Sequence, residues 1–169
     1  MVNPSFSSTS SASICLKEVF FIISEALRYD VKGRKYIGAG TKYYFEDIGI
    51  RNAVVDFRQI EFTHIMENVV YNELRKQGYT VDVGSVESFK RDENGKLQRR
   101  NLEIDFVVNR HDERLYIQSA YALPDKEKVD QEQASLLNVN DGFRKLIIVG
   151  DRYHSGYNEE GILMMSLSD

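Results

Sequence analysis

An α/β domain built on a mixed sheet is the fold class this sequence predicts, and three observations predict it. Residues 60–77, IEFTHIMENVVYNELRKQ, carry apolar residues at helical spacing and end at Gly78. After that glycine the period changes to two, in extended segments divided by the turn-like stretches RDENGK and RHDE. A second amphipathic stretch, residues 125–138, then leads into KLIIVGD (145–151), short and apolar as a buried parallel strand would be. The predicted order is helix, three-strand meander, helix, strand.

Each element has a local reason. Residues 5–13, SFSSTSSAS, are the only low-complexity stretch, and a Ser or Thr there caps a short helix expected over Ser8–Glu18. Residues 23–47 read as a hairpin. Asp30, Lys32 and Gly33 suit the turn, and Tyr43, Tyr44 and Phe45 favour the returning strand and core packing. DIGIRNAVVD is expected as a loop with one short helical piece. In residues 60–77 the side chains of Ile65, Met66, Val69, Val70 and Leu74 form the apolar face. YTVDVGSVESF and LEIDFVVN are strands joined at Asn94-Gly95, a strong hairpin signal. RLYIQSAY is the third strand, with Gln118 and Ala120 on one face and Ile117 and Ser119 on the other.

Composition narrows the function classes. A chain of 169 residues suits one ordinary domain, and a formal net charge of −4 gives no global field that draws nucleic acid. Any such contact must be local. The hairpin tip SFKRDENGKLQRRN offers it, with Lys90, Arg91, Lys96, Arg99 and Arg100 set against Asp92 and Glu93. One cysteine, Cys15, excludes an internal disulfide and points to a reducing compartment. The longest apolar run, five residues from Val19, is far below the ~20 that span a bilayer, so no membrane partner and a cytoplasmic location are expected. His64, His111 and His154 show no ligand spacing. GAGTK (38–42) lacks the spacing of a phosphate loop and precedes a strand, so ATP binding by this chain is not expected.

The element order resembles the restriction-endonuclease-like, or PD-(D/E)XK, core. That resemblance implies an acid on the first helix, an Asp on the second strand and Glu-x-Lys on the third, meeting at one end of the sheet. There the acids hold a divalent metal such as Mg²⁺ and the lysine helps position water. The matching positions here are Glu67, which lies beside the apolar stripe of its helix, and Asp105 in EIDF. In that tetrapeptide Glu103 and Asp105 are expected on one face, with Ile104 and Phe106 on the other. Gln118 and Ala120 stand where Glu and Lys would be. Gln brings no charge to a hard cation and Ala cannot orient water. Lys145, at the head of the next strand, is the candidate to supply the missing amine.

A closer resemblance rests on KYYFEDIGIRNA (42–53), MENVVYNELRKQGYTVDVG (66–84), EIDFVV (103–108), YIQSAY (116–121) and KLIIVGD (145–151). Together they resemble the uncharacterised C-terminal domain attached to AAA-type, archaeal-style P-loop ATPases, itself a relative of the restriction-endonuclease-like fold. The resemblance implies that Gln118 and Ala120 follow the family pattern and that Glu67, Asn68, Asp105, Gln118 and Glu132 occupy signature positions. It implies a division into a partial winged-helix segment with a β-hairpin wing (1–46) and a restriction-endonuclease-like domain (47–169). It also implies an accessory domain with a degenerate nuclease-like site, whose partner is a nucleic acid, another protein or an ATPase module outside this chain. Two alternatives stay open: an active Mg²⁺-dependent nuclease using Glu67, Asp105 and Gln118, and a pure protein-interaction or oligomerisation module.

Overall fold

The computed structural model describes residues 22–57, 61–91 and 95–169. The helix expected over Ser8–Glu18, Cys15 and the Asn94 half of the Asn94-Gly95 turn lie outside the described residues. The described elements are β1 (Ile23–Asp30), β2 (Lys35–Phe45), α1 (Ile48–Val54), α2 (Phe62–Lys76), β3 (Thr80–Arg91), β4 (Leu97–Arg110), β5 (Glu113–Ala120), α3 (Lys126–Leu137), β6 (Arg144–Val149), β7 (Gly156–Tyr157) and β8 (Leu163–Ser166). They form one mixed sheet in the order β2-β1-β3-β4-β5-β6-β8-β7. The expected run of helix, meander, helix and strand is α2, β3–β4–β5, α3 and β6, with β3–β4 and β4–β5 antiparallel and β5–β6 parallel. The short β7 and β8 were not visible in the sequence.

Local chemistry sets the boundaries. Asp30 Oδ1 accepts from the Gly33 amide at 2.9 Å and closes the β1–β2 turn. Asp47 and Asp125 cap α1 and α3 through the Ile50 and Lys128 amides, at 2.9 and 2.8 Å. Helix α2 ends as the sequence predicts. Gly78 has φ +86°, and the Gly78 and Tyr79 amides fold back onto the Arg75 and Leu74 carbonyls, at 3.0 and 3.1 Å. Strands β4 and β5 meet in a two-residue turn whose first residue, His111, has φ +57°.

The helices cover opposite faces of the sheet. On one face Met66, Val70 and Tyr71 of α2 pack with Val81, Val83, Phe106, Val108 and Ile117. On the other, Leu136 of α3 packs with Val86, Ile104, Val107, Tyr116 and Ile147. Val69 does not join the apolar face expected of it. It is exposed, while Asn68 and Tyr71 are buried, because the side of α2 next to β2 is buried as well. The β1–β2 hairpin extends the same sheet through a parallel pairing of β1 with β3, and its Ala26 and Tyr44 belong to the α2-side core. Tyr43, on the opposite face of β2, is exposed rather than core.

One irregularity re-aims the strand that matters most. Asp82 pairs with Val107 but Gly84 pairs with Ile104, so Asp105 and Phe106 together oppose the single residue Val83. Across this bulge Ile104 faces α3 whereas Phe106 faces α2, which breaks the alternation expected for EIDF. Gly84 permits the close approach. A Cβ there would stand 2.8 Å from Ile104 Cβ and from Val107 Cγ2.

Candidate functional site

Three acids from two elements gather on the α2 face around one amine. Lys42 and Tyr44, two residues apart on β2, point the same way, towards α2. Lys42 Nζ lies 2.8 Å from Glu67 Oε1, 2.8 Å from Glu103 Oε1 and 3.9 Å from Asp105 Oδ1. The Tyr44 hydroxyl donates to the same Glu67 oxygen at 2.6 Å, and its ring stacks on Tyr71 with centroids 4.1 Å apart. Arg28 Nη2 reaches the second Glu103 oxygen at 2.6 Å. Asp105 Oδ2 accepts from the Ser119 amide and hydroxyl, both at 2.8 Å.

The electrostatics follow from burial and these partners. Burial, and next the Glu67 charge, pushes Asp105 up to about 6, against the Ser119 bonds and Lys42. Burial would lift Glu103 too, but Lys42 and Arg28 hold it below the usual carboxylate range. Burial would lower Lys42, yet Glu67 and Glu103 outweigh it and keep the ammonium charged. Burial and the Glu67 charge drive the Tyr44 hydroxyl far upward, so it acts only as a donor.

The predicted trio does not converge. Glu67 and Asp105 share the Lys42 cluster, but Gln118 is turned towards α3. Its amide oxygen accepts from Ser135 Oγ at 3.3 Å and weakly from the Asp105 amide at 3.4 Å. Its nitrogen donates to Glu132 Oε2 at 3.3 Å. Glu132 is itself paired with Lys128 at 2.6 Å. The bulge is the reason: it rotates Asp105 to the α2 face, while Gln118 keeps the regular alternation of β5. Mg²⁺ would therefore lack the third ligand on the face where Glu67 and Asp105 meet, and among the described residues no group of three or more His, Cys, Asp or Glu is arranged to hold a metal ion. Lys145 does not supply the amine either. Its Nζ donates to the Val139 carbonyl at 2.6 Å.

Lys42 is the residue that sequence reasoning missed. It comes from the hairpin, well before the acids in sequence, and only the pairing of β1 with β3 brings it to them. Asn68 completes the attachment. Its side chain accepts from the Phe45 amide at 2.9 Å and donates to the Phe45 carbonyl at 2.6 Å, as a neighbouring strand would. A cleft of about 240 Å³ beside the cluster is lined by Lys42, Tyr44, Arg51, His64 and Glu67.

The five cations of the β3–β4 arm are all exposed but do not share a face. Cross-strand partners face the same side, so Lys90, opposite Gln98, and Arg100, opposite Ser88, continue the α3 face of Val86. Arg91 and Arg99 lie on the other face, where Arg99 pairs with Glu87. Lys96 sits in the connection between the strands.

No family model matches the chain, and no solved structure matches it. An uncharacterized protein of Haemophilus influenzae is 30% identical over 166 residues, which cover 98% of this chain and 37% of that protein. The chain thus spans little more than a third of its relative's length. Among the described residues no helix is long and apolar enough to cross a membrane.

Proposed function

We propose that this chain is a restriction-endonuclease-like accessory module of a longer, P-loop ATPase-type protein, and that it binds a nucleic-acid or protein partner without catalysis. The order α2, β3–β4–β5, α3, β6 supports the fold assignment. The longer relative is consistent with a module that works as part of a larger chain. One observation carries the non-catalytic reading: Lys42 Nζ sits within 2.8 Å of both Glu67 and Glu103. Glu67, one of the two acids a working nuclease would use, is engaged by the protein's own amine, which also lies 3.9 Å from the other, Asp105. The arrangement reads as a latch that fastens the β1–β2 hairpin to α2 and β4.

The same lysine favours one competing reading, an active Mg²⁺-dependent nuclease in which Lys42 replaces the amine that Ala120 cannot provide. Incubation with plasmid and with single-stranded DNA, with Mg²⁺ or Mn²⁺, separates the two. The accessory-module reading expects wild type and Asp105→Asn to give the same background. Cleavage by the wild type that disappears in Asp105→Asn overturns it.

A further inference from the structure

On the α2 face of the sheet Arg28, Lys42 and Arg99 each close an ion pair, while Arg91, further along the arm, closes none among the described residues. On the α3 face and the turn beside it, Lys32, Arg34, Lys90, Arg100 and Arg114 form no ion pair among the described residues. These five are not scattered. Lys32 Nζ donates to the Glu87 carbonyl at 2.7 Å and so holds the β1–β2 turn against the arm that carries Lys90 and Arg100. From that turn a cavity of about 640 Å³ runs past Lys32 and Arg34 to Arg114.

Arg114 is built into place. Its Nε donates to Asn109 Oδ1 at 2.7 Å, and its guanidinium lies 5.4 Å from the Tyr29 ring centre and 5.6 Å from that of Phe143. Two of the acids lining the cavity are already engaged. Glu113 pairs with Arg110 and Arg144, and Asp141 accepts from the Tyr116 hydroxyl at 2.6 Å and the Phe143 amide at 3.2 Å. Among the described residues only Asp112, at the tip of the β4–β5 turn, adds negative charge to the rim without such partners. The result is a track of cations that ends between two aromatic rings.

We propose that this groove binds single-stranded nucleic acid, with backbone phosphates following Lys90, Arg100, Lys32 and Arg34 towards Arg114 and a base resting on Tyr29 or Phe143. The inference rests on the accessory-module reading, whose partner it specifies. Spaced charges grip a phosphate backbone, and rings at the end of the track stack an unpaired base more readily than a paired one. The charge run of the arm is thereby divided: Lys90 and Arg100 belong to the groove, and Arg91 and Arg99 do not.

The test is fluorescence anisotropy of the whole chain with a labelled oligothymidylate across a series of KCl concentrations. Log affinity should fall linearly with log salt. Lys90→Gln/Arg100→Gln should reduce the slope by about 1.4, or about 0.7 for each phosphate of a single strand that is no longer neutralised. Phe143→Ala should weaken binding several-fold while leaving the slope alone. Arg91→Gln/Arg99→Gln should leave affinity and slope unchanged. The arm cations are exposed, and melting curves matching the wild type would show that the fold is intact. Absence of binding at low salt, an equal loss in the Arg91/Arg99 variant, or tighter binding of duplex than of single strand would each overturn the groove. DNA cleavage lost in Asp105→Asn would instead overturn the non-catalytic reading and leave the groove standing.

Discussion

Replacing Asp105 with Asn removes the charge of the most enclosed acid in the cluster and keeps an oxygen for the Ser119 donors. Asp105 is 8% exposed, and its pKa is raised from 3.8 to about 6, mainly by burial and then by the Glu67 charge. A raised carboxyl pKa means that the folded protein holds the proton more tightly than the unfolded chain does. Well below pH 3.8 both states are protonated and the residue has no effect. As pH rises from there, the unfolded chain ionises first and the folded state loses stability. Above about pH 6 the full cost is present. A shift of roughly two units at 1.36 kcal/mol each makes that cost about 3 kcal/mol. About half of it is already present at pH 5. Asp105→Asn should therefore gain on the wild type by about 1.4 kcal/mol more at pH 7.5 than at pH 5, or about 3–6 °C in Tm. Urea unfolding followed by far-UV circular dichroism at both pH values measures it, and the difference between the two proteins cancels the other titrating groups. A stability difference that is the same at both pH values, or that shrinks as pH rises, refutes the reasoning.

Two further substitutions test the latch. Lys42→Met leaves Glu67, 13% exposed, facing Asp105 with no cation between them. Removing one partner of a fully buried pair costs about 3–5 kcal/mol, and with Lys42 27% exposed a loss of about 2 kcal/mol is expected. Adding Glu67→Gln should recover at least about 1 kcal/mol of that loss in a double-mutant cycle, and no recovery would mean that the pair is not coupled. Asn68→Ala strips the Phe45 amide of its acceptor and should cost about 2 kcal/mol. Hydrogen exchange should then show the Phe45 amide losing protection, while the Val81 and Val108 amides keep theirs.

The sequence made the element order legible because that order depends on period and punctuation. The α2 stripe, Gly78 and the turn at RHDE each declared themselves locally. β8 is four residues and β7 two, too short for a period to show. The site was legible only in part. Glu67 could be placed from its position beside the apolar stripe, and Asp105 from its strand. Two things hid the rest. A bulge leaves no mark in a sequence read at period two, and this one divides Asp105 from Gln118. Lys42 reaches the acids through a parallel pairing, Arg28 opposite Val83, that no local pattern specifies.

That long-range delivery decides what the cluster is. Were the amine on β5, it would sit beside Asp105 whatever the hairpin did. On β2 it is present only while the hairpin is docked, and Tyr44 and the backbone of Phe45 are held by the same helix through Glu67 and Asn68. Undocking β2 would withdraw Lys42 and the Tyr44 donor together, leaving Glu67 and Asp105 facing each other and only Arg28 on Glu103. Like charges in an enclosed site resist that state, so the acids pull the hairpin in as much as the hairpin neutralises them. On the α2 face these acids hold a strand, through Lys42 and the Tyr44 hydroxyl.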